Sequence, residues 1–561
     1  MTQQTTYEPE PIYPPASGLV RRGWDAVRDA LPGPGAVLAV DGPMMLDWPA
    51  LAAALPPGTL TVDMRGATVA WDQVQKRTAS AEQLAGDPDF ATLAPGTLAD
   101  LIDELPAVPR QPGRLTVVYG PGAALADHDE LWYADLPKRY AEHATTQGHG
   151  RNLGRPGDGT GTTQRLFYID WPLLDRHRDA VAPGIAQWLD LQDPADPRML
   201  AGPDLRATLE ELARRPLRTR PTFNTTSWGG HWAQERLGMN TQARNTALGY
   251  ELIAPESGVL IGTRAEGAVE VPFQLLVASH PEQVLGAAVR PRFGPSFPIR
   301  FDYLDTYGGG SLSVHCHPRP ENMRTVFGWA YPQHETYYVL VGSPDNVIHL
   351  GLRDAADLTE FERRAHAAHH DGEPFEIERY VQQHPATEHQ LFLVPAGTPH
   401  GSGQGNVVLE ISATPYLYSL RFYDWLRRDA EGRQRPVHVG HAFDNLDTGR
   451  TGAALRADLI QRPRTIVTGD GWREDLIGAL PELFFRVHRL ELDAGATAGQ
   501  ETTDRFHVLN VVAGDGVAIR TRLGEHRLSY AETLVVPAAV GRYTVTASGP
   551  SGARVVKAFV A

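Results

Sequence analysis

The stretch Gly309-Gly310-Ser311-Leu312-Ser313-Val314-His315-Cys316-His317-Pro318 sets two imidazoles two residues apart in an apolar, glycine-led segment. On a strand, residues two apart share a face, so His315 and His317 project together while Cys316 points the other way. Two later segments offer further donors. Glu335 heads the apolar run Thr336-Tyr337-Tyr338-Val339-Leu340-Val341-Gly342, and Pro395-Ala396-Gly397-Thr398-Pro399-His400 ends a turn in a third histidine. Three nitrogens and one oxygen can hold Zn, Fe or Mn and leave positions open for a substrate. A lone His-x-His means little in a chain with 21 histidines, but its combination with the other two segments points to a metal site.

The elements that must position these donors read as β. From about Pro221 to Pro463, short apolar runs alternate with Gly and Pro, as in Val271 to Ala278, Gln390 to Val394 and Asn406 to Ile411, and each is expected to be a strand. One helix interrupts them: Asp357-Leu358-Thr359-Glu360 has the form of a capping box, and the run to His370 contains no breaker. From about Thr465 to the end, Phe506 to Val512, Gly516 to Arg522 and Thr533 to Pro537 predict a second small barrel or sandwich. Leu393-Val394-Pro395-Ala396 is echoed there by Val535-Val536-Pro537-Ala538. Before residue 215, runs such as Ala36 to Val40 and Leu115 to Tyr119 suit buried parallel strands with alanine-rich helices between them.

At 561 residues the chain exceeds one hydrophobic core and should divide into several domains. A formal charge of -15 and a pI near 5.8 argue against nucleic acid or an anionic membrane as partner and favour a small molecule. The single cysteine, Cys316, excludes an intrachain disulfide framework. Residues Met1 to Pro15 lack the basic-then-apolar form of a secretory signal, and no apolar run approaches the roughly 20 residues of a membrane span. A cytoplasmic protein is expected, and nothing in the sequence argues against a homo-oligomer.

The glycine before the His-x-His, the Glu with its later Gly, and the Pro-x-Gly-x-x-His resemble the two cupin motifs. With their flanks, followed by Leu409-Glu410-Ile411 and Arg421-Phe422-Tyr423-Asp424-Trp425, they resemble in order the signature blocks of class I mannose-6-phosphate isomerases. That resemblance implies a zinc enzyme interconverting an aldose phosphate and a ketose phosphate through a cis-enediol. It gives His315, His317, Glu335 and His400 the metal-ligand roles, and Glu410 and Arg421 the active-site glutamate and the arginine facing the sugar. Proton abstraction beside a carbonyl needs a base, and an enediolate needs nearby positive charge. Ser313 matches the family's phosphate-side serine. Two departures stand out: His315 replaces a usual glutamine, which shifts metal preference toward Fe, Mn or Ni, and Gln333 replaces a phosphate-binding lysine.

The first region resembles a nucleoside-kinase-like P-loop fold through Val37-Leu38-Ala39-Val40-Asp41-Gly42, Tyr119-Gly120-Pro121-Gly122 and Trp132-Tyr133-Ala134-Asp135-Leu136-Pro137-Lys138. Its loop, Gly42-Pro43-Met44-Met45-Leu46-Asp47-Trp48, lacks the lysine and hydroxyl of a working phosphate loop. The expected organisation is therefore multidomain: a flexible leader (1–17), a degenerate α/β P-loop-like domain (18–220), a catalytic cupin jelly-roll barrel (221–463) and a C-terminal cupin-like barrel (464–561). His366, His369 and His370 read as a solvated helix face, and the last barrel, where His507 has no partner, as metal-free. An iron-dependent dioxygenase, a decarboxylase or a non-catalytic sugar sensor are the competing functions.

Overall fold

A computed structural model describes residues 7–157, 160–413, 418–428 and 432–561. Its first part is an α/β unit around a mostly parallel sheet. The strands lie side by side in the order Leu60–Asp63, Thr116–Tyr119, Val37–Asp41, Glu130–Asp135, Ile185–Asp190, followed by Arg198–Ala201, antiparallel, and the short edge strand Arg21–Arg22. Numbered along the chain, the parallel strands run 2-3-1-4-5, so the direction of winding reverses at Val37–Asp41. All five residues of that strand are buried, as a parallel strand covered on both faces requires.

The leader is not loose where it is described. Tyr7 and Tyr13 are buried, and Ile12–Tyr13 pairs in parallel with Gly258–Thr263. The Tyr7 hydroxyl donates to Glu251, and the Tyr13 hydroxyl accepts from Arg218 N at 2.6 Å. Two aromatic rings in a polar, proline-rich segment give that segment enough apolar area to dock. Residues 1–6 lie outside the described residues.

The second part is two antiparallel sheets. One contains Leu391–Val394, Glu335–Val341, Val407–Ala413 and Ile299–Asp305 in that order, followed by Leu248–Leu252 and Thr222–Asn224; the other contains Val381–Pro385, Val347–Leu352, His400–Ser402, Val314–Cys316 and Leu420–Tyr423. Two registers fix the interior chemistry. Val407–Ala413 places Ser412 opposite Glu335 and Glu410 opposite both Tyr337 and Asp302, while His315 stands opposite His400 on one side and Arg421 on the other. The helix Leu358–Asp371 forms where expected, with the Asp357 carboxylate accepting from Glu360 N at 3.0 Å.

The run Val271 to Ala278 departs from expectation. Its strand ends at Pro272, and Phe273–Ser279 is a helix burying Phe273, Leu275, Leu276 and Val277. A short continuous apolar run satisfies either element, and packing decides between them. The last part is an antiparallel β unit built around two long strands, His507–Thr521 and Arg542–Val560, with its own core around Leu509, Val517 and Val545. The chain is thus multidomain and mostly β.

Candidate metal centre

The two sheets of the second unit face each other across four side chains. Strand Val314–Cys316 and the adjacent Pro318 turn supply His315 and His317, strand His400–Ser402 supplies His400, and Glu335 heads the central strand of the opposing sheet. One nitrogen or oxygen from each lies within 4.8 Å of all the others, and all four residues are buried. This is the one such group of three or more potential ligands among the described residues.

The three rings are oriented from behind. Nδ1 of His315 lies 2.9 Å from Ser313 O, that of His317 lies 3.0 Å from Tyr418 O, and that of His400 lies 2.9 Å from Thr398 O. A ring that donates from Nδ1 to a carbonyl keeps its lone pair on Nε2, the arrangement that backs metal-bound histidines. Those Nε2 atoms converge on one carboxylate: His317 Nε2 is 2.8 Å from Glu335 Oε1, and His400 Nε2 is 3.1 Å from Oε2. Although so close, His317 Nε2 makes no hydrogen bond, so a buried lone pair is left without a proton to accept. Burial, then His400 and His317, hold the His315 ring well below its ordinary value and keep it neutral. Burial alone would raise Glu335, but His317 and His400 pull its carboxyl well below the usual range. Imidazole nitrogens gathered around an ionised carboxylate are the donor set that a divalent cation takes.

Gln333 points at this cluster: its Nε2 donates to Glu335 Oε1 at 2.5 Å, which fixes the carboxylate from outside. Ser313 is buried beside His315, to which its carbonyl is bonded. Arg421 is partly buried and donates to Pro436 O at 3.3 Å. It pairs with neither carboxylate near it in sequence: Asp424 is held by Arg427 and Arg435, and Glu410 by Arg300. Burial, then Arg435, lowers the Arg421 guanidinium.

Glu410 lies on the face of its strand shared by Ser412, and Ser412 stands opposite Glu335, so Glu410 projects into the same interior. Its Oε1 accepts from Arg300 Nη2 at 2.7 Å and Ser412 Oγ at 2.8 Å; Oε2 has no hydrogen-bond partner among the described residues. Burial, followed by Asp302 and Glu335, raises the Glu410 carboxyl well above the ordinary range, with Arg300 opposing. Arg300 also donates from Nε to Ser412 Oγ at 2.7 Å and lies 3.3 Å from Asp302. Arg300 and Asp302 escaped the sequence reading. Their signal was present, because Ile299-Arg300-Phe301-Asp302-Tyr303 puts two charges on one face of a strand that is buried throughout.

The α/β unit reaches this centre through Tyr418. Tyr168 stacks on Tyr418, the residue whose carbonyl holds His317, with ring centroids 4.9 Å apart and planes at 17°. Phe90 packs against Tyr418, Phe327 and His438, while Asp87 bonds His441 at 3.0 Å and Asp89 bonds His438 at 3.2 Å.

Fold and site together define a multidomain, mostly β protein with a divalent-metal centre set between two facing sheets. Comparison with known proteins places it more closely. Residues 23–214 match a family described as a domain of unknown function (DUF8485). Beyond that segment's family, the chain is similar to a mannose-6-phosphate isomerase of Streptococcus mutans serotype c, with 25% identity over 328 residues, 57% of this chain and 92% of that protein. It is 24% identical over 340 residues to a probable mannose-6-phosphate isomerase of Bacillus subtilis, covering 59% of this chain and 96% of the relative. A solved Bacillus subtilis mannose 6-phosphate isomerase aligns over 61% of this chain and 99% of its own, at 18% identity and a TM-score of 0.49.

Proposed function

We propose that the chain is a metal-dependent aldose–ketose isomerase acting on a sugar phosphate, with mannose 6-phosphate and fructose 6-phosphate as the pair that its relatives' names point to. The observation that carries this reading is Glu410, a buried carboxyl on the same interior face as the metal carboxylate, in a chain that matches those relatives over nearly their whole length.

In this reading His315, His317, Glu335 and His400 hold the ion inside a cupin jelly-roll barrel, and zinc suits three nitrogens and one oxygen. A bound divalent cation polarises the substrate carbonyl and acidifies the neighbouring C–H. Glu410 takes that proton on Oε2 and returns it to the adjacent carbon, while Arg300 and Ser412 fix its other oxygen. Arg421, which forms no salt bridge among the described residues, supplies positive charge toward the enediolate. Gln333 is spent on Glu335, so of the two phosphate-side residues Ser313 is left to recognise a phosphate.

The α/β unit serves as a degenerate kinase-like scaffold. Its 2-3-1-4-5 strand order supports the kinase-like part, and Asp41 supports the loss of function. That carboxylate accepts from Gly42 N at 2.7 Å, in the loop where a phosphate loop would present its N–H groups, and from Gly122 N at 3.1 Å and Ala124 N at 2.8 Å in the turn after Thr116–Tyr119. A cytoplasmic location is the one we infer, and the single, buried Cys316, which cannot form an intrachain disulfide, is in keeping with it.

The test is isomerisation of mannose 6-phosphate and of free mannose by purified protein of measured Zn, Fe, Mn and Ni content, with and without chelator. Chelator-sensitive turnover that is restored by zinc is expected. A fully loaded protein that isomerises neither sugar would refute the reading and leave an oxidative cupin or a sugar sensor.

A further inference from the structure

A second crevice lies away from the His/Glu cluster, at the carboxyl ends of Val37–Asp41 and Glu130–Asp135. That is where the α/β sheet reverses its winding and where open α/β sheets bind ligands. It is a narrow crevice with a cavity volume of about 50 Å³ that opens to solvent, and its far wall, Pro255 to Gly258 with Pro272, comes from the β unit.

The charges around it do not balance. Lys138 pairs with Asp175 at 2.5 Å, Arg178 pairs with Asp175 and Asp179, and Glu270 is held by Arg139 and Arg220. Three lining carboxyls, Asp135, Asp170 and Glu256, have no cation within salt-bridge distance among the described residues, against one lining cation, Arg151, that has no carboxylate. Asp170 is 1% exposed; its Oδ2 accepts from Asn152 Nδ2 at 2.8 Å and Leu153 N at 3.2 Å, but its Oδ1 is buried with no partner. Such an atom calls for a donor from outside the chain. Burial, joined at Glu256 by Glu142, pushes Asp135 up to about 7, Asp170 to about 6 and Glu256 to about 8 even though Arg178, Arg165 and Lys138 respectively oppose the rise from beyond salt-bridge distance; a cation in direct contact would lower them further. The three carboxyls do not converge closely enough to hold a metal ion, so the occupant must be extended. Between them the wall is apolar, formed by Met44, Met45, Leu136 and Leu174.

We propose that this crevice binds a small organic amine, its ammonium groups facing Asp170, Asp135 and Glu256 and its carbon skeleton lying on Met44, Met45 and Leu174. Because both units line the crevice, the ligand would clamp them together. The proposal is independent of the reaction assigned to the metal centre.

The experiment is calorimetric titration of the full-length, metal-loaded protein with 1,4-diaminobutane, 1,5-diaminopentane, butylamine and glucosamine, alongside 1,4-butanediol and 1,5-pentanediol as uncharged controls. At least one amine should bind one-to-one, at least ten-fold more tightly than its diol counterpart or, for glucosamine, than glucose. Asp170→Asn and Glu256→Gln should each weaken it ten-fold or more, with metal content and melting temperature reporting that each variant is folded. Should Asp170→Asn fail to fold, Glu256→Gln decides alone, because Glu256 makes no hydrogen bond that folding would miss. Binding by none of the amines, equal binding of the uncharged controls, or undiminished binding in a folded variant would overturn the proposal.

Discussion

Arg300→Met is the sharpest test of the interior network. The guanidinium is 4% exposed and bridges Glu410 and Ser412, each at 2.7 Å, with Asp302 at 3.3 Å. Methionine fills much of the same volume but leaves Asp302 and Glu410, which are direct cross-strand neighbours, as two buried carboxyls without a cation. Breaking a buried ion pair by removing one partner costs about 3–5 kcal/mol. For a unit of this size that lowers the melting temperature by about 6–20 °C. Scanning calorimetry of the metal-loaded protein measures the loss. Adding Asp302→Asn removes one of the stranded carboxyls and should recover more than half of it. A single variant within about 1 kcal/mol of wild type, or no recovery in the double variant, would show that Arg300 is not what holds these acids.

Glu410→Gln keeps the hydrogen bonds from Arg300 and Ser412 but cannot take a proton, so kcat should fall by about 10²–10⁴ with metal content unchanged. Arg421→Ala should also lower turnover while the ion stays bound; full activity in stopped assays would remove Arg421 from the scheme. Gln333→Leu withdraws the donor behind Glu335 and should weaken metal affinity by about 10–100-fold in a competition titration with a chromophoric chelator. The Asp87 hydrogen bond raises the His441 imidazole above its ordinary 6.5. The stability from that pair is therefore complete between the ordinary 3.8 of Asp87, whose own carboxyl is lowered, and pH 6.5, and is lost as pH rises through the raised imidazole value. The difference in melting temperature between wild type and Asp87→Asn should shrink as pH rises through that value, and a difference that grows over that rise would contradict the assignment.

The four clustered donors could be read from the chain because each sits in a local pattern that dictates its direction. His-x-His on a strand shares a face, and the turn before His400 delivers it to the strand that pairs with His315. What orients those donors is non-local and left no comparable mark. The carbonyl behind His317 belongs to Tyr418, 101 residues on, and Gln333 reads as a missing lysine until its bond to Glu335 is seen. The parallel sheet was legible from its continuous apolar strands, whereas Phe273–Ser279 was not, because an apolar run of that length suits either element. The docking of the leader rests on contacts with residues far along the chain, among them the strand pairing of Ile12–Tyr13 and the hydroxyls of Tyr7 and Tyr13, which no periodicity announces.

The stack of Tyr168 on Tyr418 bears on how the chain can be divided. The isomerase relatives match 57% and 59% of this chain, which invites cutting the α/β unit away. Yet excision would strip Phe90 and Tyr168 from Tyr418, Phe327 and His438, leaving wet an aromatic surface one peptide away from the carbonyl that aims His317. The α/β unit has become part of the wall of the metal centre: a shorter chain of the relatives' length would have to rebuild that wall, and in this protein the two units are parts of a single machine rather than neighbours on a string.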